Sequence, residues 1–205
     1  MRIRVGLWIL LSVLEGTSVS LVATPAGLSI STVNRFSDGS AVPGASSTLI
    51  TNDSGATMTL HTSEIPAGHA VTVWWIIFNN PEECLFGTGG LRCGEGDLFG
   101  NPDVDASVVY AAGHVVGRSG RSNWGGWIGV GDTQDALFGP GLLNPLGADI
   151  HLIVHDHGVV PADQVAENIR SFGSCFPPVA ADCSNADIQF AAHEQTLPVS
   201  QAAGR

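Results

Sequence analysis

Three of the chain's seven histidines fall within HLIVHDHG, residues 151–158. Neutral imidazole binds Zn²⁺, Cu²⁺ and Ni²⁺, and an unshifted histidine titrates near pH 6.5, where it can move protons. The spacing decides which of the three can act together. In an extended strand His151, Ile153, His155 and His157 share one face, and Ile150, Leu152 and Val154 take the other, toward a core. At about 3.3 Å per residue, His151 and His155 stand about 13 Å apart, too far for one ion. His155 and His157 are about 6–7 Å apart, a span that two imidazoles can close. The metal reading therefore centres on His155 and His157, with His151, His114 and His193 as further candidate ligands and copper or zinc as the ion. A closed site needs one or two donors from elsewhere in the chain. The competing readings are solvated histidines where a strand enters a turn, and acid–base use without a metal.

Two other groups of residues invite chemistry. GEGDLFGNPDVDAS gathers Glu95, Asp97, Asn101, Asp103 and Asp105, oxygen donors of the kind that hold Ca²⁺. The spacing is not that of an EF-hand loop, and solvated loop carboxylates are the simpler expectation. NWGGW sets Trp124 and Trp127 beside glycines. Exposed, they could stack on a carbohydrate or a protein surface; buried, they are core. The sequence contains no Gly-x-Ser-x-Gly elbow, Walker loop, His-Glu-x-x-His or dinucleotide fingerprint. A metal-dependent enzyme is thus the third expectation, after a metal-binding module and a surface-interaction protein without metal or catalysis.

The elements that must position these residues read as β. The chain has 205 residues, with 26 Gly and 11 Pro, a composition of many turns between short strands. Ala56, Met58 and Leu60 alternate with Thr57, Thr59 and His61, a strand with one buried face. Val71–Asn79 is apolar on both faces, a central strand covered on both sides. Ser107–Val116, the run around Trp124 and Trp127, Asp149–His155 and Asp187–His193 supply further strands. One helix is expected over 161–172, with Val165, Ile169 and Phe172 on one face and Pro161 in its first turn. These elements predict a mainly β protein, an antiparallel β-sandwich with long disulfide-bonded loops and one short helix.

The four cysteines, Cys84, Cys93, Cys175 and Cys183, form two locally spaced pairs. Each pair brackets a Gly- or Pro-rich loop, and local bridges are the simplest of three connectivities; a four-cysteine zinc site is the alternative. Disulfides point to an oxidising compartment. The N-terminus agrees: Arg2 and Arg4, an apolar run over 5–14 and small residues after it form a secretory signal pattern, with cleavage after Ser20, Ala23 or Ala26. The run is too short for a confident membrane span. The expected organisation is a signal peptide over 1–26, a polar leader with at most one edge strand over 27–55, the sandwich over 56–197 and a tail over 198–205. The expected location is secreted, periplasmic or cell-surface. A net charge of −11 with no lysine argues against nucleic acid, which is held through clustered Lys and Arg.

GATMTLHTSEIPAGHAVTVWWIIFNNPEEC, GHVVG, ADIHLIVHDHG and DIQFAAH resemble a group of secreted bacterial proteins without an assigned activity. A more distant likeness is to CHRD and copper–zinc superoxide dismutase-type sandwiches, whose GHAV-like turn leads into a strand with His-x-His copper ligands. Here that strand reads AVTVWW. Threonine and tryptophan stand where the ligands would be, so the likeness implies a shared architecture without dismutase activity.

Overall fold

The structure is a computed structural model, and it describes residues 26–175 and 181–195. The expected signal peptide, save for Ala26, and the tail over 198–205 lie outside the described residues. Two antiparallel sheets form a sandwich. The first is four-stranded, in the order β1 (Ala26–Ser31), β3 (Ser46–Asn52), β4 (Gly55–Thr62), β7 (Ser122–Gly129). The second is six-stranded, in the order β2 (Asn34–Arg35), β10 (Cys183–His193), β9 (Asp149–Val159), β5 (His69–Phe78), β6 (Ala106–Val115), β8 (Ala136–Phe138).

The main core lies between the sheets. Leu49, Met58, Leu60, Trp124 and Ile128 reach in from the four-stranded sheet, and Val71, Val73, Trp75, Ile77, Ile150, Leu152 and Val154 from the six-stranded one. Burying each of the larger side chains contributes about 1.5–3 kcal/mol. The expected alternation of β4 holds, with Ala56, Met58 and Leu60 in and Thr57, Thr59 and His61 out. β5 is apolar on both faces because it is covered twice. Trp74, Ile76 and Phe78 turn away from the main core into a second one with Val104 and Val108, against which Tyr110, Ile153 and Phe172 pack.

That second core is roofed by loops. The segment 80–105 carries a helix, α1 (Glu95–Gly100), and two short 3-10 turns, and the Cys84–Cys93 bridge closes it. The segment 160–175 is tied to the start of β10 by the Cys175–Cys183 bridge. Both bridges are the local pairs, and loops this short gain on the order of 2–3 kcal/mol from closure. Segment 160–175 rests directly on β6: Tyr110 Oη donates to the Ile169 carbonyl at 2.8 Å, and any side chain at Gly113 would strike that same carbonyl.

Two expectations need correction. Segment 27–55 is no leader: it supplies β1, β2 and β3, and Val33, Val42 and Leu49 are buried in the main core. Its strands carry their polarity inward: Ser47 and Thr51 are buried while Leu28, Ile30 and Ile50 are exposed, and Ser29 and Ser47 meet His193 between the sheets. The helix expected over 161–172 shrinks to α2 (Val165–Asn168). The chain leaves the helix in time to lay Phe172 edge-on against Trp74, at 5.2 Å between ring centres.

Candidate functional site

The histidines of HLIVHDHG do lie on one strand, β9, but they are not solvated. His151, His155 and His157 are all buried; segment 160–175 covers His155 and His157 through Phe172 and Ser174, and His151 lies against Phe78. The rings of His155 and His157 stand 5.0 Å apart. Each is already fully engaged. His155 Nδ1 donates to Asp187 Oδ1 at 2.7 Å, its Nε2 lies 3.0 Å from Asn185 Oδ1, and its ring stacks on Phe172 at 4.9 Å.

An indole N–H only donates, so Trp74 Nε1 donates to Thr72 Oγ1 at 2.8 Å. Thr72 Oγ1 lies 2.9 Å from His157 Nε2, and Ser174 Oγ lies against Nδ1. Hydroxyls both donate and accept, so this pair of partners satisfies a neutral imidazole in either tautomer. Burial first, then the neighbouring His155, holds the His157 pKa down at about 4, against a smaller upward pull from Asp156.

The other candidate ligands lie apart from this pair. His151 packs edge-on against Phe78 at 5.1 Å, its Nε2 is buried without a partner, and burial lowers its pKa to about 4. His193 turns into the space between the sheets and bridges them: Nε2 meets Ser47 Oγ on β3 at 2.8 Å, and Nδ1 meets Ser29 Oγ on β1 at 3.0 Å. Burial, then His151, takes its pKa to about 4. His114 stacks on Trp124 at 4.8 Å and meets Ser122 Oγ, and burial lowers its pKa. Among the described residues, no group of three or more His, Cys, Asp or Glu is gathered where it could hold a metal ion.

The acidic constellation also divides. Asp97 is buried and serves the loop around it. Asp103 and Asp105 instead line an open depression with Asn80, Glu82, Glu83 and Pro102. One pairing escaped the sequence reading: His69 Nδ1 donates to Asp156 at 3.0 Å, and Asp156 Oδ1 accepts from Gly158 N. The residues are 87 apart in sequence. A register shift between β5 and β9 at Ala70/Val71 brings them together, and nothing local announces it.

Asp149 is a strained neighbour of His151 on the same face. Burial raises its carboxyl to about 6, against the pull of Gln195 N and Arg92, with Glu194 and Glu82 adding to the rise. Its Oδ2 has no partner. A carboxyl raised above its unfolded value stabilises the fold fully below about pH 4, and loses that contribution as pH climbs through 6. Asp149→Asn removes the buried charge and keeps an oxygen for Gln195 N. The expected result is a gain of about 1–2 kcal/mol at pH 7.5 that vanishes below pH 4, read from urea midpoints of variant and parent. A loss at pH 7.5 would show that the contact with Arg92, at 3.5 Å, outweighs burial.

The surface offers a different kind of site, on the outer face of the four-stranded sheet. Register aligns Leu28, Ile50, Thr57 and Trp127 in one row across its strands, and Ile30, Thr48, Thr59 and Gly125 in the next. Ser46, His61 and Asn123 follow, with His61 Nδ1 and Asn123 Oδ1 at 2.7 Å. Leu28 is 68%, Ile30 73%, Ile50 48% and Trp127 59% exposed. No Asp, Glu or Arg stands in these three rows, although the chain as a whole carries 27 of them and no Lys. Of the two tryptophans flagged in NWGGW, Trp124 is core and Trp127 lies on this face.

The fold and this face define a two-disulfide antiparallel β-sandwich with one uncharged, partly apolar sheet surface. No protein-family model, curated protein or solved structure matches the chain.

Proposed function

We propose that the protein is an extracellular binding module that docks through the outer face of its four-stranded sheet. The observation that carries this reading is the uncharged row Leu28–Ile50–Thr57–Trp127 on an otherwise acidic molecule. Contiguous exposed apolar surface marks interaction sites, and two disulfides suit an oxidising compartment. The metal-binding alternative asks more of the molecule. To take Cu²⁺ or Zn²⁺, His155 and His157 would have to give up their bonds to Asp187, Asn185, Thr72 and Ser174.

The test is retention of the purified protein on washed envelope material from the cells that make it. The parent should be retained. Ile50→Glu, which places a charge in the middle of the face, should abolish retention while leaving the thermal midpoint within a few degrees of the parent's. Leu137→Ala, an exposed change on β8, should leave retention unchanged. Equal retention of parent and Ile50→Glu would move the docking surface elsewhere.

A further inference from the structure

We infer that the ligand of this face is an uncharged glycan chain, a step that rests on the docking reading above. Three features of the face point to it. The first is the attitude of Trp127. A side chain at Gly129 would start 2.7–3.6 Å from three atoms at the outer end of the Trp127 six-membered ring, so the indole leans over the space that glycine leaves free. The residue is nonetheless 59% exposed. An exposed indole held in this way can stack on the C–H face of a sugar.

The second feature is the set of polar groups that the sheet presents on the β4 side of the indole. The hydroxyls of Thr48, Thr57 and Thr59 stand in or beside its row, and His61 and Asn123 lie at the rim. Hydroxyls both donate and accept, as sugar hydroxyls do, so the two sets can pair in either sense. With no charge among the three rows, nothing there would compensate a uronate, a sulfate or a phosphate.

The third is size. Four strands about 4.8 Å apart, with two or three outward positions each about 6.7 Å apart, offer at most about 400 Å². A standard protein–protein interface takes about 800 Å² from each partner. A footprint of that size is small beside such an interface, and it is open enough for a chain to lie across it. It is not enclosed, which disfavours a free small molecule.

The experiment uses the full protein and the envelope material in three forms: untreated, protease-digested, and oxidised with periodate, which cleaves the vicinal diols of sugars. Retention should survive protease and high salt and be lost after periodate. Trp127→Ala should weaken it at least about tenfold, and Gly129→Ala, whose methyl would displace the indole, should weaken it as well. Retention lost to protease but resistant to periodate overturns the glycan and leaves the docking face with a protein partner. Retention lost in high salt overturns an uncharged ligand. No retention of the parent on untreated material overturns the docking reading and the glycan together.

Discussion

Lowering the pH from 7 to 4.5 should unfold this protein at a far lower urea concentration, with the loss of stability starting near pH 6.5. His151, His157 and His193 are held neutral by burial, each with a pKa of about 4. In the unfolded chain each takes up its proton near pH 6.5. Between those values the unfolded state binds more protons than the folded one, so stability falls as pH falls, until the folded pKa is passed. Each histidine accounts for up to about 3 kcal/mol, and roughly half of that once solvent screening is allowed for. Together they reach on the order of 5 kcal/mol, comparable to the whole stability of many domains. Asp149 works in the opposite direction over the window from about 4 to 6, but it is one group against three. His151→Leu should flatten the acid limb by one proton. It should also hold or raise stability at neutral pH, since it deletes a buried nitrogen that has no partner. A denaturation midpoint that stays level from pH 7 to 4.5 would show that these imidazoles are not kept neutral by the fold.

Asp97→Ala should cost on the order of 3–5 kcal/mol, the largest effect expected from one substitution in the loops. The Asp97 carboxylate is fully buried, and it accepts from Leu85 N at 2.6 Å, Phe86 N at 3.0 Å, Gly94 N at 2.9 Å and Asn101 Nδ2 at 3.4 Å. Burial alone would push its pKa up, but the bonds from Leu85, Gly94, Phe86 and Asn101 together outweigh it, and the group titrates below the ordinary aspartate value. Alanine would leave three backbone N–H groups facing a void, each costing about 1–3 kcal/mol. The Cys84–Cys93 bridge would still hold the ends of the loop. The damage should therefore appear as fast hydrogen exchange at Leu85, Phe86 and Gly94 together with a lowered urea midpoint. An alanine variant within 1 kcal/mol of the parent would mean that water replaces the carboxylate at little cost.

The sequence made some of this legible and hid the rest for physical reasons. β4 was readable because a strand's two-residue period separates core from surface directly, and β5 because an unbroken apolar run marks a strand covered on both faces. So were the two disulfides, because each pair lies close in sequence. β1 and β3 were hidden because their alternation runs against the usual rule: Ser47 and Thr51 are buried, while Leu28, Ile30 and Ile50 are the exposed positions. The burial of His155 and His157 was unreadable from HLIVHDHG, since it depends on where segment 160–175 lands. That landing is fixed by Gly113, Tyr110 and Phe172, none of them near the motif in sequence. The His69–Asp156 pair needed a register shift that no local pattern encodes. The Trp127 face was half visible. NWGGW raised the choice between core and surface for both tryptophans, and alternation along β7 assigns Trp124 inward and Trp127 outward.

The position of β5 in its sheet has a consequence for biogenesis. Its neighbours are β6, which follows soon after it, and β9, whose pairing joins His69 to Val159. A strand with apolar side chains on both faces must therefore wait, with one edge bare, until most of the chain has been synthesised. During that interval the nascent polypeptide presents a sticky ribbon to every neighbour it meets. Only when residues 149–159 have emerged can the second edge of β5 be paired and the ribbon be covered.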